Sequence, residues 1–190
     1  PYNPMINAGA IVVASCLASE ISFDTMLDTI RALCMDPDIN LDKKVYHSEM
    51  SHISRNRAIA YLLESKGYIE KNKDVENSLH FYVKMCSLSV TAESLAGLGL
   101  ILANDGIHPD TGKRLLSSQA VKIVKTLMFT CGMYDGSGEF AVRVGIPSKS
   151  GVGGGILSVV DGEMGIGIFG PALDKKGNSV AGECMLEYMS

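Results

Sequence analysis

The hydrophobic period of this chain changes near Cys131, from the helical repeat of about 3.6 residues to the alternation of a strand. Upstream of that point, apolar residues recur at helical spacing over about 7–19, 22–34, 48–65, 75–85, 91–103 and 117–130. Asn7, Thr91 and Ser117 are placed to cap three of these segments, and Lys66-Gly67 is placed to end another. The first two thirds of the chain are therefore predicted to be helical.

Alternating segments follow Cys131 and predict three strands, over 139–145, 156–160 and 163–169. Asp161-Gly162 lies between the last two segments and signals a tight hairpin. A sheet of three strands leaves a row of open backbone groups on its flank, so we expect further strands to complete it.

Helices followed by strands of this kind predict an α+β fold, with an antiparallel sheet flanked by helices and a large helical portion. Ser179 is placed to cap a closing helix that ends near Met189. The 190 residues, of which 46% are apolar, are enough for one domain with a sizeable core. We expect a mostly helical part over 1–130, and the sheet strands with the C-terminal helix over 131–190.

Composition argues against several classes of partner. The formal net charge is −4, so no basic patch predicts nucleic-acid binding, and no apolar run approaches the roughly 20 residues of a membrane span. The five cysteines lack C-x-x-C spacing and are expected to be reduced core thiols, as in the cytoplasm. The four histidines form no H-E-x-x-H pair, so we expect no metal and no cofactor. A bacterial source is favoured, and a mitochondrial one stays open.

The run Lys149-Ser150-Gly151-Val152-Gly153-Gly154-Gly155-Ile156 leaves the backbone nearly bare, so its N–H groups can approach a ligand oxygen. A nucleotide fingerprint is not predicted, because Ile156 stands where the third glycine is needed and the run leads into a strand rather than a helix. Two interpretations stay open. The run is either the twisted start of a strand that lets another element pack close, or a strand-edge oxyanion site of the Lys-Thr/Ser-Gly kind.

Polar side chains within the helical part are candidates for binding. Glu49 and Asn56 fall in the predicted helix 48–65 at a spacing of two turns, so they are expected to project from one face. Glu49 offers a carboxylate for a cation, and Asn56 offers an amide that both donates and accepts. A solvated polar face is the alternative for this pair, and a plain helix cap is the alternative for Asn7.

Two tyrosines are candidates for chemistry. Tyr134 lies where the helical part meets the sheet, and a phenol there can shuttle protons if a nearby cation such as Lys149 lowers its pKa. Tyr82 is an aromatic helix residue whose hydroxyl needs a partner. A partly buried structural tyrosine is the alternative for each.

Taken together, these segments resemble the glutaminase family, serine-dependent enzymes built on the β-lactamase and transpeptidase fold. The matching stretches keep the family's order and cover 3–11, 54–59, 81–82, 131–135, 149–156 and 174–180. The resemblance implies hydrolysis of L-glutamine to L-glutamate and ammonia through an acyl-enzyme on serine. It also implies a homo-oligomer, either a dimer or a tetramer.

The resemblance places the family's substrate-binding positions on Asn7, Glu49, Asn56, Tyr82, Tyr134 and Val152. The two asparagines and Glu49 would hold the amino acid end of the substrate, with Glu49 as the partner of its ammonium group. Tyr134 would be the catalytic phenol that transfers a proton near the nucleophile. The backbone N–H of Val152 would be one oxyanion-hole donor, also a catalytic role.

One departure from the family concerns the nucleophile. The family's S-x-x-K motif lies upstream of the segment that matches 3–11, and no serine here has a lysine three positions later. Because that lysine activates the serine, we expect an N-terminally truncated catalytic domain, in preference to a scaffold that has lost catalysis. A β-lactamase or penicillin-binding relative is the alternative enzyme, since Lys149-Ser150-Gly151 also fits that class. A non-catalytic amino-acid-binding module is the alternative of another kind.

Overall fold

The computed structural model describes residues 3–190, and these fall into two compact units. Unit 1 contains the described residues 3–30 and 38–89, and unit 2 contains residues 31–37 and 90–190. Unit 1 is helical apart from one short strand pair, whereas unit 2 combines helices with a three-stranded sheet. The mixed α and β composition with antiparallel sheets agrees with the predicted α+β class.

The elements of unit 1 are α1 (Asn7–Ala18), α2 (Phe23–Cys34), β1 (Asn40–Leu41), α3 (Lys43–Ser51), α4 (Ser54–Ser65), α5 (Val75–Cys86) and β2 (Leu88–Ser89), although α2 passes into unit 2 at Arg31. Strands β1 and β2 pair antiparallel. The core of unit 1 is built around Ile11 of α1, Ala60 of α4 and Leu79 of α5, which are fully buried. Helices α4 and α5 are also joined by a bidentate ion pair between Arg57 and Glu76, at 2.8 and 3.0 Å.

The single helix predicted over 48–65 is wrong, because α3 ends at Ser51 and α4 begins at Ser54. The Ser51 hydroxyl donates to the Ser48 carbonyl at 2.7 Å, and His52 Nδ1 donates to the same oxygen at 2.9 Å. Side chains that take a helical carbonyl in this way compete with continuation of the helix. Glu49 and Asn56 consequently lie on different helices, and the prediction that they share one helical face fails.

The elements of unit 2 are α6 (Ala92–Ala103), α7 (Ser118–Cys131), a 3₁₀ turn (Tyr134–Gly136), α8 (Ser137–Arg143), β3 (Ser148–Ser150), β4 (Gly155–Val160), β5 (Met164–Phe169) and α9 (Val180–Met189). The strands form an antiparallel sheet in the order β3-β4-β5. The caps predicted in unit 2 are confirmed, since Thr91, Ser117 and Ser179 each accept a backbone N–H at the start of α6, α7 and α9. The hairpin predicted at Asp161-Gly162 joins β4 to β5.

The strand predicted over 139–145 is wrong, because this segment lies almost entirely within α8. Phe140 and Val144, four residues apart, are buried on one side, whereas Val142 between them is 88% exposed. Apolar residues at positions i, i+2 and i+4 fit a strand, but the first and last alone also fit one helical face. The first strand of the sheet is instead β3, which begins after this helix.

Helix α6 lies directly on strand β5 because glycines remove the side chains between them. A β-carbon added to Gly167 would lie 2.7 Å from the Ala96 backbone nitrogen, and one added to Gly165 would collide with the backbone of Leu100. Gly99 of α6 meets the same constraint, since a β-carbon built on it would lie 2.8 Å from the Gly165 α-carbon. Alternation of glycine with apolar residues in β5 therefore sets the distance between helix and sheet.

The cysteines are free, but the prediction that they are core thiols holds only for Cys34. Burial, with a smaller contribution from the Asp36 charge, raises the pKa of the Cys34 thiol to about 11. Cys16, Cys86 and Cys184 are exposed. Within residues 3–190 no single helix is long and apolar enough to cross a membrane, and α1 and α2 reach that length and composition only as a bent pair.

Replacing Gly167 by alanine should destabilise the protein by roughly 1–3 kcal/mol, because the added methyl group overpacks the α6–β5 contact. Gly138→Ala is the matched control, since nothing lies within 4 Å of a β-carbon there. Alanine in helix α8 should be neutral or slightly stabilising. Urea unfolding of the complete polypeptide, including any residues that precede Pro1, measures both changes. Equal stability of the two variants would contradict the glycine contact.

Candidate functional site

Two of the asparagines predicted to bind substrate are in contact within unit 1. The Asn7 side-chain nitrogen donates to the Asn56 side-chain oxygen at 2.9 Å, although the residues are 49 positions apart in sequence. Asn7 is the first residue of α1 and makes no capping hydrogen bond, so the interpretation of Asn7 as a plain cap is wrong. The contact leaves the Asn7 oxygen as an acceptor and the Asn56 nitrogen as a donor.

Glu49 and Tyr82 both act on the Cys86 thiol, at a second place in unit 1. Burial raises the pKa of Cys86, the Tyr82 hydroxyl lowers it, and the charge of Glu49 raises it. Burial is the largest cause of the raised pKa of Cys86, even though the residue keeps an exposed surface. Within residues 3–190 the Glu49 side chain makes no hydrogen bond or ion pair, so its negative charge is available to a cation.

The two places border one apolar core. Three residues at these places pack against the core cluster of unit 1. They are Ala8, which follows Asn7, Met50, which follows Glu49, and Tyr82 itself. Helix α3 is held to α5 by a 2.6 Å hydrogen bond between the Tyr46 hydroxyl and His80 Nδ1. The helices that carry the candidate side chains are therefore fixed by core packing and by the Tyr46–His80 hydrogen bond.

Tyr134 and Val152 meet in unit 2. Burial raises the pKa of the Tyr134 phenol, and the backbone N–H of Val152, which approaches the hydroxyl, opposes this with a smaller lowering effect. Tyr134 has a φ angle of 50°, in the left-handed region that residues other than glycine seldom adopt. A strained backbone at a residue with a chemical role is a common feature of active sites.

Lys149 lies beside Tyr134, with its Nζ 4.7 Å from the centre of the ring, and also donates to the Ser150 carbonyl. The prediction that this cation lowers the pKa of Tyr134 is wrong, since the pKa is raised. The ammonium group faces the ring rather than the hydroxyl, so it interacts with the π system instead of a phenolate. Burial lowers the pKa of Lys149 itself, opposed by a smaller effect of Cys131.

The glycines of the run form a turn between β3 and β4. Of these four glycines, only Gly155 belongs to a strand. The turn is closed by hydrogen bonds from Gly151 N–H to the Gly155 carbonyl and from Gly154 N–H to the Gly151 carbonyl, both 2.9 Å. Gly154 has a φ angle of 94° and its α-carbon lies against the backbone of Gly170, so only glycine fits there. The run thus serves close packing at Gly154, and it turns the Val152 N–H toward Tyr134.

The predicted residues do not line the open surface pockets found in unit 1 and in unit 2. A cavity of about 550 Å³ in unit 2 is lined by residues that include Lys122, Lys125 and Phe129. A cavity of about 490 Å³ in unit 1 is lined mostly by polar residues that include Lys73. Among residues 3–190, no group of three or more histidine, cysteine, aspartate or glutamate side chains is placed to hold a metal ion.

Sequence reasoning missed residues that hold Tyr134 in place. The Ser137 hydroxyl donates to the Tyr134 carbonyl at 2.8 Å and accepts the Met133 N–H at 3.0 Å. The Asn178 side chain donates to the Met133 carbonyl at 3.2 Å. Asn178 belongs to the matched segment 174–180, which was the one signal available, but nothing in the sequence indicated its partner.

A main-chain donor at the end of an edge strand, joined to a phenol, is an arrangement suited to acyl-transfer chemistry. Comparison with known proteins identifies the class. The family model described as Glutaminase matches residues 1–190. The chain is 53% identical over 193 residues to a glutaminase of Fusobacterium nucleatum and 51% identical to one of Clostridium tetani, covering 100% of this chain and 62% of each relative.

Solved structures agree with this assignment. The Bacillus subtilis glutaminase YbgJ, in covalent complex with 5-oxo-L-norleucine formed by reaction with 6-diazo-5-oxo-L-norleucine, superposes with a TM-score of 0.93 at 41% identity. That comparison covers 100% of this chain and 67% of the other. The chain belongs to the glutaminase family. It spans about three fifths of the length of the curated relatives, 62% in the two cases above.

The Tyr134 phenol should titrate above its ordinary value of 10.0, because burial outweighs the opposing effect of the nearby Val152 N–H. A raised pKa means that folding favours the protonated phenol. Its contribution to stability is therefore fully present below pH 10 and is lost as the pH rises through the pKa of the folded state. A ¹³C NMR titration of tyrosine Cζ in the complete polypeptide measures the value, with Tyr134→Phe to assign the signal. A phenol that titrates below 10 would contradict the burial.

Proposed function

We propose that this chain is part of an enzyme that hydrolyses L-glutamine to L-glutamate and ammonia. The closeness of the Val152 N–H to the Tyr134 hydroxyl carries the proposal, because it places an oxyanion donor beside a proton-transferring group. Family membership supports the choice of glutamine, as does the covalent reaction of the Bacillus subtilis relative with 6-diazo-5-oxo-L-norleucine.

The polar side chains of unit 1 are proposed to bind the amino acid end of glutamine. Glu49, whose carboxylate makes no ion pair within residues 3–190, takes the substrate ammonium. Asn7 and Asn56 already hydrogen-bond one another, so each has a fixed orientation and one free amide atom for the substrate. Tyr82 supplies a hydroxyl that, like the Glu49 carboxylate, acts on the Cys86 thiol. A zwitterion needs both an anion and neutral hydrogen-bonding groups, and this set provides them.

Unit 2 is proposed to supply the groups that catalyse the reaction. A serine acyl-enzyme forms when the nucleophile attacks the side-chain amide carbon, ammonia leaves, and water then releases glutamate. The Val152 N–H stabilises the negative charge on the amide oxygen during each attack. Tyr134 stays protonated at neutral pH because its pKa is raised, so it is suited to donating a proton to the departing nitrogen.

Several broader features belong to the same proposal. We propose one catalytic domain over 1–190 with a β-lactamase/transpeptidase-like fold, supported by an antiparallel sheet with helices packed on it. A homo-oligomer, a dimer or a tetramer, is supported by the family resemblance. A cytoplasmic location is supported by five free cysteines, which suit a reducing compartment.

Ammonia release from L-glutamine by the complete polypeptide tests the proposal, and absence of turnover would remove it. A β-lactamase or penicillin-binding activity is the alternative, favoured by Lys149-Ser150 in the edge strand β3. Acylation by a labelled penicillin would support that alternative. A rise in melting temperature with glutamine, but without ammonia, would indicate an amino-acid-binding module.

Asn56→Ala should raise KM for glutamine by about one to two orders of magnitude, since a hydrogen bond to a bound polar group is worth on the order of 1–3 kcal/mol when its partner is left unpaired. The value of kcat should change much less. Asn77→Ala is the matched control, because Asn77 is an exposed asparagine of α5 in the same unit. Steady-state kinetics of ammonia release measures both, and an unchanged KM for Asn56→Ala would exclude Asn56 from the binding site.

Tyr134→Phe should lower kcat by roughly 10²–10⁴-fold, the usual range for loss of a general acid or base, with a smaller effect on KM. The ring and its packing are retained, so only the hydroxyl is tested. Tyr188→Phe is the control, because Tyr188 of α9 is 93% exposed. If Tyr134→Phe keeps full turnover, the proton-transfer role given to Tyr134 is wrong.

A further inference from the structure

The matched segment 174–180 has no role in the proposed reaction, yet it forms a closed loop beside Tyr134. The Asp174 carboxylate accepts the backbone N–H groups of Lys176 and Asn178, each at 2.9 Å. The Asp174 N–H in turn donates to the Asn178 carbonyl at 2.8 Å. These three hydrogen bonds fix the loop from within, so it is able to act as a rigid support for its neighbours.

The loop contacts both catalytic candidates of unit 2. Gly177 has a φ angle of 96°, and a β-carbon built on it would lie 3.7 Å from the Tyr134 ring and 3.7 Å from the Val152 side chain. The bare backbone of Gly177 therefore forms part of the surface against which the phenol and the glycine turn rest. A left-handed glycine at this point lets the loop approach both without a side chain between them.

Asn178 fixes the backbone that precedes Tyr134. Its side chain is fully buried and its nitrogen donates to the Met133 carbonyl, 45 residues away in sequence, at 3.2 Å. The Met133 carbonyl belongs to the same peptide group as the Tyr134 N–H, so holding this oxygen fixes the plane from which the Tyr134 φ angle is measured. The same carbonyl also accepts the Gly136 N–H at 3.0 Å.

In the part of the chain that the structure describes, only the nitrogen of the Asn178 side-chain amide makes a hydrogen bond. Within residues 3–190 its buried side-chain oxygen has no hydrogen-bond partner. Burying an unpaired amide oxygen costs stability, so a small apolar residue would serve the fold at least as well unless the donor end is needed. The donor end is the one that contacts the Tyr134 turn, because a carbonyl oxygen can only accept.

We propose that Asn178 is a positioning residue for Tyr134: through the Met133 carbonyl it holds the left-handed turn that presents the phenol to the Val152 N–H. Asn178 does not touch the reacting atoms and acts through the backbone. The expected effect on turnover rests on the proposed glutaminase activity, whereas the expected effect on the position of the phenol does not.

Two variants of the complete polypeptide test this role. Asn178→Asp keeps the shape of the side chain but places a carboxylate oxygen against the Met133 carbonyl, and Asn178→Ala removes the contact. Ser158→Ala is the matched control, because Ser158 is fully buried in the same unit and hydrogen-bonds Ser148 at 2.7 Å. It loses a comparable buried hydrogen bond without disturbing the Tyr134 turn.

The first readout needs no substrate. In Asn178→Ala the ¹³C-detected pKa of Tyr134 should shift down toward the ordinary value of 10.0, because a released ring becomes more exposed and burial is the larger cause of the raised pKa. The Ser158→Ala control should keep the raised value. An unchanged Tyr134 titration in folded Asn178→Ala overturns the proposal, whether or not the protein hydrolyses glutamine.

The second readout uses turnover. Both Asn178 variants should lower kcat at least tenfold and change KM less than twofold, and in a Tyr134→Phe background they should cause no further loss. An equal loss in both backgrounds overturns the positioning role. No turnover by the parent protein would instead reject the proposed function and leave the titration to decide. If neither Asn178 variant folds while Ser158→Ala does, Asn178 supports the whole unit and the proposal is also wrong.

Discussion

The approach of the Val152 N–H to the Tyr134 hydroxyl is the feature on which the proposed chemistry of unit 2 depends. Each partner is placed by an unusual piece of backbone. Val152 follows strand β3 in a turn that requires glycine at position 154, and Tyr134 occupies a left-handed turn after helix α7. Neither turn is stable by local preference alone, so buried side chains and close backbone packing must hold both.

The polar side chains of unit 1 are positioned in a different way. Its candidate side chains are presented by short helices packed on a common apolar core, and the break at His52 redirects the chain between Glu49 and Asn56. An uninterrupted helix would have carried both residues in one direction. The break instead leaves Asn56 in contact with Asn7 and leaves Glu49 and Tyr82 both acting on the Cys86 thiol, so helix length controls which polar groups meet.

Local signals explain what could be predicted from the sequence. Thr91, Ser117 and Ser179 are caps whose effect depends on residues two or three positions away, and the helices they begin were predicted almost to the residue. The strand prediction for residues 139–145 failed because apolar residues at a spacing of two do not distinguish a strand from a short helix. The break at His52 depends on side chains competing for one carbonyl. The contact of Asn178 with Met133 spans 45 residues and has no local signature.

The protonation of Tyr134 links these features to the proposed reaction. Burial raises the pKa of the phenol, and the Val152 N–H opposes that effect by stabilising the phenolate. When an oxyanion forms on the substrate, it competes for the same N–H, and both the loss of this donor and the new negative charge raise the pKa of the phenol further. Collapse of the oxyanion returns the N–H to the phenol and lowers its pKa again. In the proposed reaction, one shared donor therefore makes Tyr134 hold its proton while the oxyanion exists and favours release of that proton as ammonia departs.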